Sequence, residues 1–155
     1  MKKAFTMIEL VFVIVILGIL SAVALPKFAK TKVMADISKG RSDVAAIRSS
    51  ILTEKQSRLI KGENDWITRA NLDSSDGLFA GVMTYPIVNK ENIDGKWGTA
   101  TIGNGAYNFR VDGVNIPFTY YDSTENDTAK RGRFMCDRGT GTLTAINKIC
   151  RRLVD

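Results

Sequence analysis

The feature that most constrains this chain is its beginning. Lys2 and Lys3 precede an unbroken apolar run, residues 5–25, that carries one carboxylate, Glu9, near its start. As a helix that run is roughly 30 Å long at about 1.5 Å rise per residue, the thickness of a bilayer core. An ionised carboxylate inside such a segment costs about 2.5–3.5 kcal/mol on insertion scales. Three readings compete. A secretory signal peptide has a basic start, an apolar core and small residues at its cut, and Ala22-Val23-Ala24 fits that pattern. An ordinary single-pass anchor is the second. In the third, the chain is cut between Ala4 and Phe5, which keeps the whole helix and creates an α-ammonium one helical turn from Glu9. The carboxylate favours the third, because neither a signal core nor a plain anchor gains anything from a buried charge.

Ala4-Phe5-Thr6-Met7-Ile8-Glu9-Leu10 resembles the class III signal of type IV pilins and of the pseudopilins of type II secretion. The resemblance implies that a prepilin peptidase removes residues 1–4, that Phe5 becomes the N-methylated first residue, and that Glu9 is the family's assembly glutamate. Gly18 and Pro26 stand where the family carries a helix-weakening glycine and proline. One departure is Ala4: the residue before the cut is usually Gly, and alanine is a small substitute for it. The implied organisation is a leader (1–4), a transmembrane and assembly half-helix (5–26) and a periplasmic or extracellular globular domain (27–155). The implied partners are a homo-oligomeric filament, other pilin-like subunits, the prepilin peptidase, an inner-membrane assembly platform and the inner membrane itself. No cofactor is implied.

At 155 residues the chain has room for one modest domain beyond the helix. Its formal charge is +6, but two of those charges are Lys2 and Lys3, and the rest are spread thinly. That spread fits a solvated surface and argues against nucleic acid as a partner. Lys2 and Lys3 also predict orientation: positive charge stays cytoplasmic, so the C-terminal bulk lies outside the inner membrane.

After Pro26 the pattern becomes amphipathic. Val33, Ile37, Val44, Ile47 and Ile51 recur at three- and four-residue spacing, with Gly40 between them and Leu59 extending the stripe. Lys61-Gly62 marks the stop, so one helix is expected over residues 5–61. Residues 65–70 read as a short helix capped by Asn64, and residues 74–77 as a turn. Leu78-Phe79 and Val82-Met83 should tuck against the long helix. Beyond Trp97 the period is two. Strands are expected at 99–102, at 107–111 and at 114–120, with Asp112-Gly113 as a hairpin turn. Pro117 pushes its strand toward an edge or a bulge. Residues 122–132 read as a loop, and 133–136 with 142–146 as a final strand pair. The fold class is α+β: a long N-terminal helix, membrane-spanning in its first half, packed on a small antiparallel sheet of three or four strands.

Two cysteines, Cys136 and Cys150, lie near the C-terminus. With no histidine in the chain they cannot complete a typical zinc site, and their spacing is not a redox CxxC. Outside the inner membrane a structural disulfide is the plain reading, with free buried thiols the alternative. Absence of histidine also removes the usual base for a Ser or Cys nucleophile, which argues against an enzyme. Asp122, Glu125, Asp127 and Asp137 suggest a calcium site, but their spacing lacks the EF-hand pattern and its glycine, so a solvated acidic loop is the better reading and no metal is expected. The function expected is a structural subunit of a type IV pilus or a type II secretion pseudopilus. The alternatives are a minor pilin-like subunit for DNA uptake and a membrane-anchored periplasmic binding domain.

Overall fold

A computed structural model describes residues 5–137 and 145–154, without the side chains of residues 25 and 26. Ala4, and residues 142–144 of the expected last strand, lie outside the described residues. The elements in chain order are α1 (Met7–Ile60), α2 (Arg69–Leu72), β1 (Trp97–Gly98), β2 (Ala106–Val111), β3 (Val114–Tyr120), β4 (Phe134–Cys136) and α3 (Ala145–Val154). The chain divides into two compact units, with the boundary inside α1 between Ala35 and Asp36. The first unit is the apolar half of α1. The second is an α+β domain, whose four strands form one antiparallel sheet in the order β1-β2-β3-β4.

In the second unit Ile37, Val44, Ile47 and Ile51 form the buried face of α1. They meet the inner sheet face, where Tyr107, Phe109 and Val111 of β2 alternate with exposed or half-buried residues. Ile116, Phe118 and Tyr120 do the same on β3. The register Tyr107↔Phe118 and Phe109↔Ile116 puts these apolar side chains opposite each other. Gly40 makes the close approach possible: a Cβ there would run into the Phe109 ring and come within 2.7 Å of Leu153 on α3. Polar bonds set the helix on the sheet. Asp43 accepts Trp97 Nε1–H at 3.0 Å, and Arg48 Nε donates to Phe134 O at 3.1 Å. Burial pulls the Arg48 guanidinium below its ordinary pKa. Leu59 does not extend the stripe; it is 49% exposed.

Phe79 fills the centre of the core in a left-handed conformation (φ 62°). Its amide donates to Asp73 Oδ1 at 2.9 Å, and its ring lies 4.5 Å from Tyr107 and 5.4 Å from Phe134. Burial first, then the charge and hydrogen bond of Asp73, push the Tyr107 hydroxyl far above the ordinary phenol value. It therefore stays protonated and donates to Asp73 Oδ2 at 2.9 Å. Leu78 is buried with Phe79, whereas Val82 and Met83 are half-buried.

Several expectations need correction. Residues 65–67 are not helical, and α2 follows Thr68, not Asn64. The Trp66 amide donates to Ser123 Oγ at 2.8 Å, and Ile67 O accepts the Tyr120 hydroxyl at 2.8 Å. These long-range bonds hold the segment extended against its local preference. The strand expected at 99–102 is instead Trp97–Gly98, because the Thr99 hydroxyl donates to Ala106 O at 2.7 Å and turns the chain. β3 is interior, not an edge. Pro117 is tolerated there because β4 pairing ends beside it: Phe118↔Cys136 is the last pair. The Asp137 amide donates to Pro117 O at 2.9 Å, and the bond that proline cannot return is simply the end of the ladder. The Asp112-Gly113 turn has the two positive φ values, 50° and 76°, of a type I′ hairpin. Residues 145 and 146 open a helix, not a strand.

Candidate processing and assembly site

The residues of the amino-terminal site lie at the start of α1. Thr6 caps the helix: its Oγ1 accepts the Glu9 amide at 3.3 Å, and its carbonyl accepts the Leu10 amide at 3.2 Å. Thr6-Met7-Ile8-Glu9 is the pattern of a capping box, with a threonine at the cap and a glutamate three residues on. The signal for this cap is local and lies in the sequence itself. Glu9 sits in the first turn, where a negative charge suits the positive end of the helix dipole. Phe5 lies just before the cap and is 78% exposed.

Beyond Glu9 the helix is apolar on every side. Met7, Ile8, Leu10, Phe12 and their successors to Val23 are all exposed. By length and composition this stretch is able to cross a membrane. A helix apolar all round has no face that water suits; it needs lipid or other helices around it. Gly18 lies within this stretch, and a Cβ added there would meet nothing within 4 Å. The backbone stays helical through Gly18 and Pro26.

At the other end of the chain Cys136 of β4 and Cys150 of α3 are joined by a disulfide, with Cα atoms 6.0 Å apart. The bridge clamps α3 to the sheet, where Leu153 is also buried. Asp122 is not part of a solvated acidic loop, because it is only 5% exposed. Its Oδ1 accepts the Thr124 hydroxyl at 2.6 Å and the Thr124 amide at 3.1 Å, and its Oδ2 accepts the Arg69 amide at 3.1 Å. Burial works to raise the Asp122 carboxyl. The hydrogen bonds from Thr124 and the Arg69 amide, with the Arg69 charge, outweigh it and hold the group below the usual carboxylate range. Glu125 lies 3.6 Å from Arg69, while Asp127 turns to Lys130 at 3.5 Å and Asp137 follows β4, its amide bonded to Pro117 O. The four acids do not converge, and among the described residues no group of three or more potential ligands is gathered for a metal.

A long capped apolar helix leading into a domain with a small antiparallel sheet is the α+β architecture of a pilin-like protein. The family profile of the prokaryotic N-terminal methylation motif matches residues 1–25. The chain is 33% identical to a type IV major alpha-pilin of Moraxella bovis over 116 residues, 60% of this chain and 73% of that protein. It is 29% identical to the type IV major fimbrial protein FimA of Dichelobacter nodosus over 133 residues, 82% of this chain and 72% of the relative. A fimbrial protein of Moraxella nonliquefaciens is 34% identical over 101 residues, 65% of this chain, which thereby spans about half (54%) of that relative's length. No solved structure matches at comparable stringency. The chain belongs to the type IV pilin family.

Proposed function

We propose that this protein is a structural subunit of a type IV pilus. A peptidase cuts between Ala4 and Phe5, Phe5 is N-methylated, and the subunit polymerises through residues 5–26. The observation that carries this reading is the capped, fully exposed apolar start of α1 with its single carboxylate, Glu9. The relatives' description as fimbrial proteins favours a pilus over a secretion pseudopilus. Before assembly the helix is held in the inner membrane with residues 27–155 on the outer side; the prepilin peptidase and a membrane assembly platform are its processing partners.

The chemistry of assembly follows from charge. Leader removal places an α-ammonium on Phe5 near the Glu9 carboxylate in a low-dielectric setting. Each charge alone is costly there, and a close pair offsets part of that cost. A neighbouring subunit displaced along the filament presents its Phe5 amine to Glu9 more squarely than the helix's own first turn does. Adding a subunit then neutralises an unpaired charge and sets axial register. Gly18 and Pro26 allow the helix to loosen between them as subunits pack.

Two measurements test the proposal. Mass spectrometry of the mature protein should find methylated Phe5 at the N-terminus, and electron microscopy of the producing cells should show extracellular filaments built of this chain. A mature start at Leu25 identifies an ordinary secreted domain and ends the filament reading. Filaments confined to the periplasm point to a pseudopilus.

A further inference from the structure

The outer face of the sheet carries a polar pocket that filament assembly as proposed above does not use. It has a volume of about 60 Å³ and is walled by Lys90, Lys96, Arg110, Asn108 and Asn115, with Glu91 as the one carboxylate among the described lining residues. The strands put these groups together. The Arg110 amide donates to Lys96 O at 3.2 Å, which makes the two cations cross-strand neighbours, and Arg110 pairs with Asn115 on β3. On the next row Gly98 lies opposite Asn108. Lys90 joins because its amide donates to Trp97 O at 2.9 Å, laying its loop along the outer edge of β1. Glycine at 98 permits this, since a Cβ there would come 2.8 Å from Glu91 Cα.

Like charges directly opposite on neighbouring strands repel, so Lys96 beside Arg110 is an arrangement the fold itself does not favour. Asp94 lies 3.4 Å from Arg110 Nε. Lys90 and Lys96 make no ion pair among the described residues, with Glu91 or any other acid. Asn115 Oδ1 accepts Arg110 Nη1–H at 3.2 Å, which leaves the Asn115 NH₂ group to donate elsewhere. The amide of Asn108 offers both a donor and an acceptor.

We propose that this pocket binds an acidic saccharide. The lysines take its carboxylate, sulfate or phosphate oxygens, with Arg110 behind them, and the amides of Asn108 and Asn115 take its hydroxyls. Among the described residues no aromatic side chain lines the pocket, so bases have nothing there to stack on, which favours a saccharide over a single-stranded nucleic acid.

Calorimetric titration of the full-length protein in neutral detergent tests this without requiring filaments. The probes are a sulfated heparin disaccharide, trigalacturonate, lactose, inorganic sulfate and a single-stranded oligonucleotide. Both acidic saccharides should bind and lactose should not. Lys90→Gln with Lys96→Gln should weaken the saccharides about tenfold or more, the scale of one lost charged contact. Asn108→Ala should weaken the saccharides but not inorganic sulfate. Lys148→Gln with Arg152→Gln, which removes the same charge from α3, should change nothing. The proposal is overturned if the acidic saccharides fail to bind or if lactose binds equally well. It is also overturned if sulfate or the oligonucleotide matches the saccharides, or if the α3 variant weakens binding as much as the pocket variant.

Discussion

Between α2 and the loop after β3, the Asp122 carboxylate gathers two amides and a hydroxyl and faces Arg69 at 3.8 Å. Replacing it with Ala takes the acceptor away from those part-buried hydrogen bonds, and the variant should lose about 1–3 kcal/mol of stability in denaturant unfolding. Its pKa is depressed in the folded chain, so between the native value and the unfolded value of about 3.9 the unfolded state binds more protons. The contribution is therefore complete above pH ~4 and fades as pH falls through the native pKa. Unfolding from pH 6 down to pH 2 should show the parent's advantage over Asp122→Asn shrinking only at the acid end; a constant gap would dismiss the assignment. Glu9 is the contrasting carboxylate, exposed on an apolar helix with the Thr6 cap behind it. Glu9→Leu should still lose its leader, but methylation and filament yield should fall. Normal assembly of that variant would dismiss the charge pairing.

At the scale of elements, the two glycines of α1 have different work. Both lower helix propensity by about 1 kcal/mol relative to Ala. Gly40 is where Phe109 and Leu153 press on the helix. Gly40→Ala should therefore destabilise the domain by about 1–3 kcal/mol through overpacking, despite the propensity gain. Gly18 has open space around it in the single subunit. Gly18→Ala should leave the domain's melting temperature unchanged while slowing filament growth, because it stiffens the segment proposed to loosen. Thermal melts of the two variants side by side separate packing from propensity. α3 is the element the sequence reading missed. Its signal was present in Ile146, Cys150 and Leu153 at four- and three-residue spacing. In the sequence, residues 142–146 alternate like a strand, which hides the start of this helix.

For the whole molecule, the disulfide between Cys136 and Cys150 closes the last part of the chain on the sheet. Replacing both cysteines with Ala should cost about 2–5 kcal/mol, read as a lower denaturant midpoint, and should expose the face of the domain that Leu153 covers. Non-reducing peptide mapping of protein from the cell envelope should find the linked pair. Much of this architecture was legible in the sequence, because periodicity is a property of the chain. The apolar run, the stripe through Ile37, Val44, Ile47 and Ile51, and the alternation in β2 and β3 follow from which residues must leave water. The Asp112-Gly113 turn is equally local. Tertiary structure decided what no local pattern contains. It drew Trp66 and Ile67 out of a helix by bonds to Ser123 and Tyr120. It buried Asp122 in an acidic stretch that reads as solvated. It let β3 run through the interior with a proline, because β4 stops where that proline has no hydrogen to give. It also set Lys96 beside Arg110, two cations fourteen residues apart that only the β-register brings together. Local preference is worth a few tenths to about one kcal/mol per residue, and a buried group left without its partner costs more, so where the two conflict the long-range bond prevails.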